Sequence, residues 1–231
     1  MPHQSSTGQS PLDDPIRSSL TGAHARFAVW RGRIGRYIPE VTGFVGHPPV
    51  LDAQDWSDLA ALMEPGETVA LRGDGIDPPA GWIVTDTIGL LQYDGSALDV
   101  APEPAAQVLT TADVPEMIEL VQRTKPGPFG PRTIEMGTYI GVREGGALIA
   151  MAGERMHPTG WTEISAVCTD PAFRGQGLAS RLMRAVGHGI RERGEVPFLH
   201  TSTTNTRAIA LYDTLGFVLR HKTTLTIVKV A

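Results

Sequence analysis

The chain has 231 residues, of which 41 % are hydrophobic and 19 % are charged, and this composition excludes a disordered or coiled-coil protein. A single cysteine, Cys168, excludes an internal disulfide bond and a thiolate metal cage, and it predicts a reducing, cytoplasmic setting. No apolar run approaches the ~20 residues of a membrane span, no secretory pattern is visible, and no basic cluster indicates nucleic acid, so we expect neither membrane nor nucleic-acid partners.

Charge is distributed unevenly along the chain. Residues 1–105 carry 6 basic and 14 acidic side chains, whereas residues 106–231 carry 14 basic and 11 acidic ones. The proline-rich run 101–104 lies at this change, and proline favours extended linker structure. We therefore predict two segments, 1–105 and 106–231. The acidic first segment either steers a cationic amine towards the protein or is a plain solvated surface.

Residues 1–105 show short elements between turns and no catalytic motif. A helix is predicted from Pro15 to Ala25, after the possible cap Asp14, and Asp55 is a possible cap for a second short helix. Strands are predicted over residues 68–72, 81–84 and 89–93.

Residues 106–231 predict the element order α-β-β-β-α-β-α-β. The first helix follows the capping-box spacing Asp113–Glu116, and later helices follow Gly177 and Asn205. The predicted strands span residues 138–143, 147–156, 161–168, 198–201 and 217–230. The fold class is α/β (α+β), since an antiparallel meander is followed by alternating helices and strands.

The turn Arg174-Gly175-Gln176-Gly177, between a strand and an amphipathic helix, is the strongest functional candidate. Unpaired N–H groups and the helix dipole make such an N-terminus a seat for a pyrophosphate. A plain connection in which glycine only permits the turn is one alternative. A dinucleotide fingerprint is another, disfavoured because only 51 residues follow Ser180 and a meander precedes the turn. No Gly-Lys-Ser/Thr occurs, which excludes a Walker A loop.

Two runs carry a family resemblance. The run from Val167 to Ala179 resembles motif A (Q/R-x-x-G-x-G/A) of the GNAT superfamily of acyl-CoA-dependent N-acyltransferases, with Arg174, Gly177 and Ala179 at its defining positions. The run from Asn205 to Phe217 resembles motif B of the same family. The resemblance implies a GNAT fold, with a mixed, mostly antiparallel central sheet flanked by helices.

The resemblance covers about residues 110–231. The layout of the whole chain is similar to the glycine-N-acyltransferase-like branch, which implies that residues 1–105 form a degenerate GNAT-like half on the substrate side.

The resemblance implies an N-acetyltransferase with acetyl-CoA as its co-substrate and no metal. The pantetheine arm is expected along the strand before the turn, and the pyrophosphate on the turn itself. The implied acyl-CoA-binding residues are Val167, Cys168, Thr169, Arg174, Gly175, Gln176, Gly177, Leu178, Ala179, Ser180 and Asn205. The oxyanion of the tetrahedral intermediate is expected on the amide of Val167 or Cys168.

Catalysis requires a base for the amine and an acid for the leaving thiolate. Glu163, whose spacing from Arg174 resembles that of the glutamate base of histone-acetylating relatives, is the candidate base. The alternative for Glu163 is an exposed or salt-bridged carboxylate, with Glu154 in reserve as base. Tyr212, at the motif B tyrosine, is the candidate acid, and core packing is its alternative.

Other polar residues favour structural interpretations. Cys168 fits an inert buried thiol. The seven histidines contain no i, i+4 pair, so we expect no metal site, and His200 either lines the acceptor pocket or is a satisfied core histidine. A set of arginines forms either a solvated helix face or a contact for a CoA phosphate: Arg181, Arg184, Arg191 and Arg193.

The expected reaction is direct attack of a primary amine on the thioester in a ternary complex. The acceptor, a small-molecule or peptide amine, stays open, and so does the choice between monomer and homodimer. The alternative function is a catalytically silent acyl-CoA-binding or regulatory module.

Overall fold

The computed structural model describes residues 10–231. The helices are α1 (Pro15–Thr21), α2 (Ala53–Ala60), α3 (Val114–Thr124), α4 (Leu178–Glu192) and α5 (Thr206–Leu215). The strands are β1 (Ala28–Arg31), β2 (Ile34–Tyr37), β3 (Val45–Gly46), β4 (Thr68–Arg72), β5 (Trp82–Asp94), β6 (Gln107–Val108), β7 (Tyr139–Glu144), β8 (Ala147–Glu154), β9 (Trp161–Thr169), β10 (Val196–Ser202) and β11 (Val218–Val230). Within residues 10–231, no helix has the length and apolar character needed to cross a membrane.

An eight-stranded sheet is the centre of the fold, in the order β4-β11-β5-β10-β9-β8-β7-β6. Its neighbouring strands pair antiparallel except β9 and β10, which are parallel. Helices cover both faces, because the consecutive residues Leu148 and Ile149 of β8 belong to the cores under α3 and α4 respectively. The predicted mixed, mostly antiparallel sheet flanked by helices is confirmed.

The two predicted segments build this sheet together. The strand β5 lies between β10 and β11, and it pairs with β11 along its whole length. The predicted strands 81–84 and 89–93 are parts of this one 13-residue strand. The prediction therefore divided an element that is continuous. Strands from both sides of residue 105 share one sheet. The two segments therefore remain a prediction about a division of function.

The connection between the segments is bound to α4. Arg181 donates to both oxygens of Glu103, at 2.6 and 2.7 Å, and Arg191 donates to the carbonyl of Ser96 at 2.6 Å. Arg184 lies 3.4 Å from Asp99. These three arginines hold residues 96–103 against the helix, while Arg193 pairs with Glu154, and Arg181 and Arg193 remain exposed as expected of a solvated face.

Several helix boundaries differ from the predicted ones by a few residues. Asp14 and Asn205 cap α1 and α5 as predicted, but α1 ends at Thr21 rather than Ala25. The N-cap of α2 is Asp52 and not the predicted Asp55, which instead completes the capping box, so the helix begins at Ala53. The box before α3 pairs Thr110 with Asp113, not Asp113 with Glu116. Before α2 and α3, therefore, an acidic or hydroxyl residue three positions earlier than the predicted one takes the capping role.

Candidate active site

The strands β9 and β10 separate partway along their length. They pair from Trp161↔Val196 to Glu163↔Phe198 and no further. Beyond Phe198, β10 keeps its pairing with β5 on its other edge as far as Ser202. The strand before the glycine turn therefore separates from its neighbour, and this opens a gap in the middle of the sheet.

A bulge in β9 lies beside this gap. Ala166 has a φ of 52°, a conformation that side chains disfavour, and the register with β8 shifts there by one residue. Neither Ala166 nor Val167 has a paired residue on β8 or on β10. The bulge therefore leaves backbone groups of Ala166 and Val167 outside the hydrogen-bonded ladder. They lie beside the position where the oxyanion is expected.

A cavity of about 970 Å³ occupies the gap. His200 and Thr201 both line it, although consecutive strand residues point to opposite faces of a sheet. The cavity therefore reaches both faces. Tyr212 lines it, and so do all the predicted acyl-CoA-binding residues except Gln176. These ten residues are Val167, Cys168, Thr169, Arg174, Gly175, Gly177, Leu178, Ala179, Ser180 and Asn205.

The glycine turn forms one end of the cavity. Gly175 and Gly177 have φ values of 84° and 73°, and a Cβ at either position would meet open space. Backbone conformation, not crowding, is therefore what requires glycine here. Gly177 is the N-cap of α4 and no side chain caps the helix, so its first N–H groups have no intrahelical partner. Arg174 and Arg207 add positive charge to this end.

Tyr212 lines the cavity on the α5 side. Its ring packs edge-on against Tyr93 and Phe217, with centroids 5.6 and 5.7 Å away, and the residue is 9 % exposed. Burial raises the pKa of Tyr212 to about 12, and the nearby Thr201 hydroxyl partly offsets that rise. The phenol is therefore protonated at neutral pH, and it both packs in the core and borders the site.

Glu163 does not line the cavity. It is fully buried, accepts two hydrogen bonds from Arg155 at 2.7 Å each, and accepts a third from Nδ1 of His200 at 2.7 Å. Burial alone would raise the pKa of Glu163, but the charge of Arg155 and these hydrogen bonds outweigh it and lower the pKa to about 2. A carboxylate so acidic and so fully bonded is a poor base. Its contacts match the salt-bridge interpretation and not the predicted catalytic one.

The reserve candidate, Glu154, is also hydrogen-bonded to groups outside the cavity. It accepts a hydrogen bond from Arg193 at 2.7 Å and one from the Thr138 amide at 3.1 Å, and it lies outside the cavity lining. Neither glutamate is free to take a proton from an amine.

His200 has both ring nitrogens occupied. Nδ1 donates to Glu163, and Nε2 accepts from the side-chain amide of Gln92 at 3.1 Å. Arg220 fixes that amide by donating to its oxygen at 2.8 Å. Burial lowers the pKa of His200, and Glu163 opposes this shift without reversing it. His200 is thus a satisfied, neutral histidine that also lines the pocket.

The other end of the cavity is built mainly by residues that the sequence did not single out. Phe44, Arg72 and Leu90 come from the first segment, and Arg155 lies 4.9 Å from the centre of the Phe44 ring. No motif marks these positions. Only Arg72 carries a local signal, as a charge that ends an apolar strand.

The lining of the cavity is cationic. No aspartate or glutamate lines it among residues 10–231, whereas five basic residues do: Arg72, Lys125, Arg155, Arg174 and Arg207. Residues 10–231 contain no group of three or more His, Cys, Asp or Glu side chains that could hold a metal. His3 lies outside this range. The cavity thus suits an anionic ligand such as a CoA phosphate.

Comparison with known proteins agrees with this geometry. The FR47-like protein family matches residues 139–226, which run from β7 into β11. The chain is 34 % identical over 121 residues to the N-alpha-acetyltransferase RimI of Mycobacterium tuberculosis, and the alignment covers 47 % of this chain and 75 % of RimI. The chain belongs to the GNAT family of acetyltransferases.

The likeness to GNAT structures extends over the first segment. A protein from Novosphingobium aromaticivorans assigned to the GNAT acetyltransferases is 37 % identical, with a TM-score of 0.89 over 96 % of this chain and 100 % of that one. A GCN5-related N-acetyltransferase from Kribbella flavida has a TM-score of 0.61 over 96 % of each chain, at 19 % identity, which shows a shared fold. GNAT acetyltransferases use acetyl-CoA as co-substrate, and the uncapped α4 N-terminus and open glycine turn fit its pyrophosphate.

Proposed function

We propose that this GNAT enzyme transfers the acetyl group of acetyl-CoA to a primary amine that attacks the thioester directly in a ternary complex. The observation that carries the proposal is the cavity across the sheet, because its two ends let a thioester and an amine meet in the gap between β9 and β10. In this arrangement, residues 174–180 hold the pyrophosphate and the backbone of residues 167–169 holds the pantetheine arm. No covalent enzyme intermediate is needed.

Tyr212 is the proposed acid for the leaving sulphur. As the bond from nitrogen to the acetyl carbon forms and the carbon–sulphur bond breaks, the phenol gives its proton to the thiolate. A free thiol near pKa 8.5 would be a weak acceptor for the proton of so basic a phenol. Burial, however, raises the pKa of the Cys168 thiol in the same cavity to about 11, close to the value of about 12 for Tyr212. We expect burial in the cavity to raise the pKa of the CoA thiol in the same direction, because it disfavours the charged thiolate. The amine proton then returns to Tyr212 through solvent.

The acceptor amine must arrive largely neutral. Glu163 and His200 are hydrogen-bonded to other side chains, and no carboxylate lines the cavity within residues 10–231, so the described site offers no free base. A peptide α-amine has a pKa of about 8 and a lysine amine one of about 10.4, so at neutral pH the neutral fraction of the α-amine is roughly a few hundred times larger. The proposed acceptor is therefore a peptide N-terminal amine, and the relative RimI is named as an N-alpha-acetyltransferase.

The proposal also includes the role of residues 1–105. Phe44, Arg72 and Leu90 of this segment line the end of the cavity away from the glycine turn, which supports a substrate-side function. The likeness to the glycine-N-acyltransferase-like branch, with a degenerate GNAT-like first half, remains part of the proposal. The cytoplasmic setting and the monomer or homodimer state stay predictions.

The test compares three acceptors with acetyl-CoA at neutral pH. They are a peptide with a free N-terminus, the same peptide blocked at its N-terminus but carrying one lysine, and spermidine. We expect release of CoA thiol in equal amount to acetylated peptide, at a rate at least ~100-fold higher for the free N-terminus. Equal rates on the lysine peptide would contradict the α-amine. Tight CoA binding with no thiol release would favour the silent module.

A further inference from the structure

Arg72 is a half-buried cation, and two of its hydrogen-bond donor atoms are fully buried and unused. It ends β4, at the edge of the sheet, and it lines the cavity far from the glycine turn. Its Nη1 donates to the backbone carbonyl of Asp13 at 2.6 Å. Its Nε and Nη2 are buried, and neither has a hydrogen-bond partner in the described part of the chain. Buried guanidinium N–H groups without partners are unfavourable unless an acceptor such as an anion is supplied.

The carboxylates nearest to Arg72 are engaged elsewhere. The Asp13 carboxylate pairs with Arg220. Asp14 is the N-cap of α1 and accepts from the amide of Arg17 at 3.0 Å. Burial lowers the pKa of Arg72, and three acidic neighbours, Asp14, Asp13 and Asp74, only partly oppose that shift. The protein itself therefore leaves the positive charge without a hydrogen-bonded carboxylate.

The floor of the cavity connects Arg72 to the gap. Arg72 is in register with Leu225, which is in register with Ile88, so the three side chains share one face of the sheet. Ala70, Leu90 and Ile227 also line the cavity from these strands. The result is an apolar path that ends in a cation, three strands away from β10. At the usual strand spacing this is about 14 Å.

We propose that Arg72 binds a carboxylate of the acceptor, so that the enzyme prefers peptides with an acidic side chain downstream of the acetylated N-terminus. This inference rests on the proposed function. A free amino acid does not fit, because its carboxylate is one carbon from its amine. An extended peptide advances about 3.3 Å per residue, so an acidic residue at about the third to fifth position would reach Arg72.

The other cations on this side of the cavity do not compete for this role. Glu163 already neutralises Arg155 through two hydrogen bonds. Lys125 is exposed to solvent, where an ion pair contributes little. Arg72 is the member of this group whose buried donor atoms have no carboxylate partner among the described residues.

The experiment measures acetylation of peptide pairs that differ only by Glu or Gln at one position, scanned from the second to the sixth residue. For the wild type we expect kcat/KM to favour Glu at one of the third to fifth positions by about 10- to 100-fold, mainly through KM. In Arg72→Gln this ratio should fall close to one. Arg31→Gln removes an exposed arginine that lies outside the cavity lining, so it should keep the wild-type ratio.

Two results separate failure of this inference from failure of the proposed function. Equal use of Glu and Gln peptides by the wild type at every position would overturn the role of Arg72 while acetylation itself persists. No acetylation of either peptide would instead contradict the proposed function. If Arg72→Gln does not bind CoA as the wild type does, Arg72→Lys replaces it: a partial loss of the ratio supports the proposal, and an unchanged ratio contradicts it.

Discussion

At the scale of single residues, Tyr212 combines core packing with a position on the cavity wall, where the proposed catalytic role would place it. Its ring packs against Tyr93 and Phe217, and its residue borders the cavity in which the proposed reaction takes place. Motif B could indicate the position, but only the folded structure shows that a buried tyrosine can serve both purposes. The hydroxyl and the ring can be separated experimentally, because Tyr→Phe removes only the former.

Tyr212→Phe is expected to lower kcat by about 10²–10⁴, the usual contribution of a positioned proton donor. The dissociation constant for CoA should not change, since the ring and the glycine turn remain. Steady-state kinetics and calorimetry measure the two quantities. Tyr93→Phe is the matched control, because Tyr93 packs on Tyr212 without lining the cavity. A wild-type kcat in Tyr212→Phe would exclude the phenol as the acid.

Glu163 shows where residue patterns mislead. Its distance along the chain from the glycine turn is right for a base, yet Arg155 and His200 converge on it from the end of β8 and from β10. No local pattern in the sequence reveals contacts between residues on three strands. Glu163 is therefore better described as the group that holds Arg155 and His200 in the cavity wall.

Glu163→Gln is expected to lower the free energy of unfolding by about 3–5 kcal/mol at pH 7, because it leaves a buried arginine unpaired. The pKa of Glu163 falls from 4.5 to about 2 on folding, so ionisation stabilises the wild type fully above pH 4.5. That contribution, about 3 kcal/mol, is lost as the pH falls towards 2. Urea unfolding at pH 7 and pH 3 should show the difference between the two proteins shrink at low pH. A difference that is independent of pH would contradict this.

At the scale of elements, the sequence predicted what is locally encoded. The helix α4 and the strands around it follow from apolar periodicity, capping residues and the glycine turn. The strands β1, β2 and β3 escaped prediction because they are short. The bulge at Ala166 was not predicted either. It arises from the pairing with β8 and the opening towards β10, and an alanine gives no local signal for it. The glycine turn and the helix after it were therefore predictable, whereas the geometry of the gap was not.

Gly177→Ala tests the seat at the start of α4. A Cβ there meets open space but disfavours the positive φ that aims the amides, so we expect CoA to bind about 10-fold more weakly. Acetyl-pantetheine, which has no pyrophosphate, should bind as to the wild type. Gly145→Ala is the matched control, because Gly145 also has a positive φ and open surroundings but lies in the turn between β7 and β8. Equal weakening for both ligands would rule out a phosphate-specific effect.

At the scale of the whole molecule, the change of charge near residue 105 marks two segments that fold into one sheet. Much of the negative charge of the first segment is paired within the protein, either inside the segment, as in Arg36–Glu67 and Arg31–Asp58, or with the second segment, as in Asp13–Arg220. The charge composition could therefore locate the boundary between the segments, but it could not show that both contribute strands to one sheet. The insertion of β5 between β10 and β11 joins residues more than a hundred positions apart, and no local signal encodes it.

The central claim is that an acyl-CoA and an amine meet inside one cavity that crosses the sheet. A conjugate in which an acetyl bridge joins the sulphur of CoA to the N-terminal nitrogen of a peptide would occupy both ends at once. Calorimetry should show that the conjugate binds at least ~100-fold more tightly than CoA, as expected for a ligand that resembles the ternary transition state. A conjugate that binds no more tightly than CoA itself would contradict the account.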